Sequence, residues 1–293
     1  MFAVDEPKPK AGDVRVIAIV YFFGTFVSVS VMSMLGLQLP VTPNNASRDE
    51  SLILALVASL ILAAAIAPLA KGIRGSGVSR WLTMAAFTYV SFAVISQIEA
   101  AVYSTISGTP AMLVVFAPPC LLAAGAAAWF VRPVDGPVIR RTVFRGRPVR
   151  AWWWRLLLAL LVLPIIEAVS GLIAQPLLVQ AAQVQELGLV IPAGAVVIRT
   201  MLLKSGLLLA VTVPIVLSWT RSRPSLVLAL GFALFMLTGL VGLIQATWWP
   251  VTMRIVISSQ ILLASMAYAG VVVALLVPKP KPEEAEFSTV GAI

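Results

Sequence analysis

The sequence predicts an all-α fold, a polytopic integral membrane bundle of eight transmembrane helices. Three observations carry this. The 293 residues are 60% hydrophobic and 11% charged, with a mean hydropathy of +1.01, against roughly 45–50% apolar and about 25% charged in a soluble domain. The apolar residues fall into eight continuous runs, each near the ~20 residues a helix needs to cross hydrocarbon. The basic residues collect in alternate gaps between those runs, which orients a membrane protein. Helices rather than strands are expected because the runs are apolar throughout and do not alternate.

Taken in order, residues 1–15 are polar, carry Pro7 and Pro9, and read as a short cytosolic lead. The first span, 16–37, is too long for the core of a signal peptide and has no small-x-small site after it, so it is expected to stay in place. A turn-rich loop comes next at 38–50; its Asn45-Ala46-Ser47 fits the glycosylation triplet, a pattern that arises readily by chance in such loops. Spans two, three and four cover about 51–70, 81–103 and 111–131.

Residues 132–155 then form a basic hinge with seven arginines and one acid, Asp135. Trp152, Trp153 and Trp154 close it at the membrane interface. Spans five to eight cover about 154–178, 196–219, 226–248 and 255–277, with a longer loop at 179–195. The tail from Pro278 is rich in proline and charge and is expected to be disordered. The domain reading is therefore a first four-span half (1–131), the hinge (132–153), a second half (154–277) and the tail (278–293).

With the N-terminus inside, 17 of the 21 basic residues fall on the inner side, the exceptions being Arg48, Arg199, Lys204 and Arg254. Both termini are then cytoplasmic, and the expected location is a bacterial plasma (inner) membrane. The hinge arginines Arg140, Arg141, Arg145, Arg147 and Arg150 are placed to meet anionic lipid headgroups, although topology alone accounts for them. The net charge of +9 lies in these short gaps and not along one face, so nucleic acid is not an expected partner. Lipid is; membrane-protein partners or a second copy of the chain come after it.

The halves read as tandem copies in parallel orientation. Shifted by 146 residues, positions 51–100 show 10 identities, among them Pro68 with Pro214, Ser76 with Ser222 and Ser79 with Ser225. An even number of spans per copy puts the symmetry axis along the membrane normal.

An ionisable group inside the bilayer costs roughly 2.5–3.5 kcal/mol on insertion scales, so those retained need a partner or a cavity. Glu99, Glu167, Arg199 and Lys204 are such groups. Glu167 and Lys204 sit at comparable depth and are expected to pair, as an inter-helix pin or as part of a substrate path. Glu99 and its counterpart under the shift, Gln245, are read as lining one shared vestibule, with Arg199 as the counter-charge of Glu99. Alternatively Glu99 simply reaches the outer headgroups. Pro118-Pro119 should kink span four. Cys120 beside it reads as packing, and it is the single cysteine, so no intrachain disulfide forms.

The chain has no histidine, which excludes His-ligated haem and His-based catalysis or zinc sites within it. No aspartate lies in a span and no nucleotide or hydrolase motif occurs. No cofactor or metal is expected. Three functions remain: a transporter or permease for a small amphipathic molecule, a non-catalytic subunit of a larger membrane complex, and a lipid-active enzyme with Glu99 as base. The third lacks a His or Asp to support the base, and the first is preferred.

Overall fold

A computed structural model describes residues 11–35, 48–104, 110–134, 149–181, 190 and 192–277. The lead, the Asn45-Ala46-Ser47 triplet, most of the 179–195 loop, the tail and hinge residues Arg140, Arg141, Arg145 and Arg147 lie outside them. Eight helices are long and apolar enough to cross a membrane, and no strand occurs among the described residues. The chain is an integral membrane protein.

The helices are α1 (Ala11–Met34), α2 (Arg48–Gly72), α3 (Gly77–Tyr103), α4 (Pro110–Phe130), α5 (Val149–Ala181), α6 (Gly194–Ser218), α7 (Arg223–Gln245) and α8 (Val251–Leu276). Large apolar side chains point outward along them, such as Phe23 and Phe26 on α1 and Leu157, Ile165 and Leu172 on α5. In water this surface would be prohibitive; against lipid tails it is the expected exterior.

Packing repeats one scheme twice. Helix α4 packs on α1 and α3, and α1 on α2; likewise α8 packs on α5 and α7, and α5 on α6. The two groups meet through α2 against α7 and α3 against α6. Small residues allow the close approaches. Ala123, Ala124 and Ala127 of α4 are fully buried, and a Cβ on Gly24 of α1 would stand 3.2 Å from the Pro119 Cα. The Pro118-Pro119 step therefore lies inside an unbroken α4 and serves as a packing surface for α1.

At one end of the bundle the short loops join. Ile73 and Trp219 form an antiparallel bridge, with Arg74 N donating to the Ser218 carbonyl (2.9 Å) and Thr220 N to the Gly72 carbonyl (3.0 Å). Position 146 after Gly72 is Ser218, and 146 after Arg74 is Thr220, so the two bonds are mates under one offset. Trp219 is fully buried and lies where any Cβ on Gly72 would overlap its ring. The next loops match too. Ser76 caps α3 by accepting from Ser79 N, and Ser222 caps α7 by accepting from Ser225 N, with (φ, ψ) of (−62°, 156°) and (−61°, 156°).

Arginines tie down the carbonyls at this end. The Arg80 guanidinium donates to the carbonyls of Ala70 (2.9 Å), Ala128 (2.7 Å) and Val131 (2.6 Å), closing the exits of α2 and α4. Arg155 donates to the Leu275 carbonyl (3.0 Å) and Arg223 to that of Val273 (3.4 Å) at the exit of α8. A cation at a helix C-terminus meets both unsatisfied acceptors and the negative end of the dipole.

Candidate functional site

Helices α3 and α7 each carry one wide turn. Ile95 N donates to the Val90 carbonyl and Val241 N to the Met236 carbonyl, five residues back in both. Such a turn holds one residue more than its α-helical equivalent and re-aims the side chains beyond it; it is frequent near functional sites. In α3 the re-aimed turns carry Glu99.

Glu99 meets a group that sequence reasoning divided differently. Lys204 Nζ, on α6, donates to Glu99 Oε1 at 2.5 Å and to Glu167 Oε1 of α5 at 2.5 Å. Side-chain exposure is 13% for Lys204, 18% for Glu167 and 33% for Glu99, so the ammonium is the innermost of the three. Lys204 lies ten residues past Gly194, which at ~1.5 Å per residue is about 15 Å along α6. A lone charge there would be costly; two carboxylates on one ammonium leave the cluster with one net negative charge when all are ionised.

The cluster faces a cavity of about 350 Å³ set among α5, α6, α7 and α8 and reached by α3. Hydrocarbon lines most of it, including Leu163, Met201, Leu234 and Ile261, with polar groups from Ser170, Thr238, Gln260 and Tyr268. Gln260 Nε2 donates to Ser170 Oγ at 3.3 Å, and Ser170 Oγ to the Glu167 carbonyl at 3.2 Å. The fully buried Tyr268 hydroxyl has Thr212 as a polar neighbour but makes no hydrogen bond of acceptable geometry among the described residues. An apolar chamber with a few convergent polar groups is the usual form of a small-molecule site.

No protein-family model, curated protein or solved structure matches this chain. The residues themselves carry the functional argument.

The sequence expected Glu167 to meet Lys204, and the structure places them in contact. It expected Arg199 as the counter-charge of Glu99, but Lys204 takes that place. Arg199 stands exposed; five residues of helix turn it about 140° away from Lys204, which explains why it cannot share the partner. Gln245 does not line the cavity of Glu99. It lines a second cavity, also of about 350 Å³, at α1, α2 and the wide turn of α3. Arg150 is exposed at the start of α5.

The second cavity is built from the same positions as the first. Tyr21, Ala58, Phe92 and Gln245 line it; at the 146-residue offset stand Glu167, Lys204, Thr238 and Glu99, all on the first. Thr25, Ser51 and Ala55 match Gly171, Val197 and Met201 in the same way. Among the described residues, no charged side chain lines it.

Sequence reasoning passed over Tyr103, Ser170, Thr238, Gln260 and Tyr268 on the lining. A signal existed in α8, where Gln260, Ala264 and Tyr268 recur every four residues and so share one face. It also took Arg80 as a loop charge, whereas the side chain is 6% exposed and donates to three carbonyls inside the bundle.

Proposed function

We propose that this protein is a transporter or permease for a small amphipathic molecule, received in the cavity at Glu99, Glu167 and Lys204. One observation carries the reading: the half-buried ionic cluster opens onto a hydrocarbon-lined chamber instead of being packed over. A structural ion pair needs no chamber beside it. The paired wide turns of α3 and α7 add two sites where a helix can change register.

The rest of the reading belongs to the same proposal. The halves 1–131 and 154–277 are tandem copies about an axis along the membrane normal, joined by the hinge at 132–153; the matched bridge, caps and cavities support this. The ends where Arg74, Arg155 and Arg223 gather face the cytoplasm, with both termini, in a bacterial plasma membrane. Arg140, Arg141, Arg145, Arg147 and Arg150 bind anionic lipid heads there.

A second reading, a non-catalytic subunit of a membrane complex, draws on α5. It is the least covered of the eight helices, with Trp153, Leu157, Ile165, Val169 and Leu172 all turned outward. Purification in mild detergent separates the two readings. A transporter comes alone or as copies of itself, and a subunit comes with fixed partners. A thermal-shift ligand screen on wild type, Glu99→Gln and Lys204→Met then addresses the site; if neither change alters any ligand's stabilisation, the cavity is not the substrate site.

A further inference from the structure

The transport reading leaves the ligand's charge open, and the cavity's own charges speak to it. Of the residues on the lining, Glu99, Glu167 and Lys204 are the charged ones. Tyr103 on α3 and Tyr268 on α8 are the other titratable groups there, while α7 contributes Leu234 and Thr238 and no ionisable side chain. Two carboxylates against one ammonium make one negative charge too many for a chamber walled by Leu163, Met201, Leu234 and Ile261. An excess negative charge beside hydrocarbon is stabilised by a positively charged ligand.

We infer that the chamber binds a small organic monocation with an apolar body, an amine or alkylammonium, against the Glu99–Glu167 pair. The inference rests on the transport reading and gives it a substrate class. The ligand's positive charge joins that of Lys204 beside the two carboxylates and balances them, and no bond forms or breaks. The surroundings suit such a guest. Tyr103 lines the chamber together with the carboxylates, and an aromatic ring holds a cation by its quadrupole. Tyr268 is a second aromatic on the lining. The hydrocarbon lining takes the ligand's body.

The second cavity supplies the internal comparison. It has the same size and the same helix positions, but Tyr21, Ala58 and Gln245 stand where Glu167, Lys204 and Glu99 do, so it has no charge to neutralise. It should not distinguish a cation from its neutral isostere.

The test uses the full chain purified in mild detergent and three probes of one shape: benzyltrimethylammonium, its neutral carbon isostere neopentylbenzene, and the anion benzylsulfonate. Binding is read by calorimetry. Expected is binding of the cation at least tenfold tighter than either other probe. Lys204→Met should bind the cation more tightly, because the guest takes the missing ammonium's place. Glu99→Gln and Glu167→Gln should each bind it at least tenfold more weakly.

Benzylsulfonate bound in preference, and lost in Lys204→Met, would overturn the cation assignment while leaving the chamber a substrate site. Equal binding of cation and neutral isostere would overturn it likewise. If no probe binds the wild-type chain, the cation assignment is overturned, and the ligand screen on wild type, Glu99→Gln and Lys204→Met decides the transport reading separately. The wild-type probe series decides even where a variant does not fold.

Discussion

The two cavities are an experiment the molecule has done on itself. Each is about 350 Å³, each is set beside a wide turn, and each draws its lining from matched positions of a different set of helices. One holds Glu99, Glu167 and Lys204; the other holds Gln245, Tyr21 and Ala58. The shared backbone explains why a chamber exists in both places. It does not explain the charges, which cost free energy in a membrane wherever they stand. Where matched positions carry charged side chains in one chamber and none in the other, the charges are there for something beyond building a chamber.

Breaking the cluster at its centre should give the largest effect. Lys204→Met leaves two neighbouring carboxylates without their cation, a loss of roughly 3–5 kcal/mol by the measure of broken buried pairs. Ala58→Met, the same side chain at the mate position, fills space against apolar neighbours and should cost only about 1–3 kcal/mol. Cys120 gives the readout: it is the single cysteine and fully buried, so a thiol-reactive dye reports unfolding in detergent. Equal shifts in melting temperature for the two variants would mean that the two chambers are alike in energetics, and the contrast between them would be lost.

The frame has its own weak point where the mates differ. Gly72 and Ser218 are offset mates, but only Gly72 lies beneath the Trp219 ring. Gly72→Ala should force that ring aside and cost about 1–3 kcal/mol as overpacking, while Ser218→Ala gives up the Oγ hydrogen bonds to the carbonyls of Pro214 and Ile215 and should cost under about 1 kcal/mol. The same melting assay checks it. A tolerated Gly72→Ala would show that Trp219 is less fixed at the joint than its complete burial implies.

How much of this was legible beforehand depends on what the physics of one chain position can announce. Span number and position were, because hydrocarbon thickness sets a length and every run meets it. The Glu167–Lys204 meeting was, because equal depth on adjacent spans leaves few partners. The choice of Lys204 over Arg199 for Glu99 was not, since depth is readable from residue count but azimuth depends on which helix α6 faces. That Glu99 and Gln245 line separate cavities was hidden for a related reason: a sequence gives height along a span without the side it faces. The wide turns were invisible, as nothing in Tyr89–Val94 or Met236–Leu240 marks one. Arg80 looked like any loop arginine; only the meeting of the α2 and α4 exits makes it a cap for both.

Where the frames agree, the energetics should agree. Ser76 and Ser222 have the same backbone angles within 1° and accept the same bond from the residue three ahead, at 3.2 and 3.4 Å. Ser76→Ala and Ser222→Ala should each cost about 1 kcal/mol and lower the melting temperature by amounts that match. A difference of more than about twofold would show that the two loops, alike in geometry, bear different loads.

The smallest expected change is the sharpest on the charge count. Glu99→Gln removes one carboxylate, and with it a charge-assisted hydrogen bond, but it also removes the excess negative charge of the chamber. The remaining Glu167–Lys204 pair is electrically complete. The two terms oppose, so stability should change by less than about 1 kcal/mol, against the much larger loss on removing Lys204. Reading both variants in one melting series therefore measures the sign of the cluster. If Glu99→Gln costs as much as Lys204→Met, both carboxylates are needed at full charge in the resting protein, and the cluster is a three-way brace. If it costs little, one carboxylate is surplus to the frame, and that surplus is what the uncharged cavity, with Gln245 at the offset position, does without.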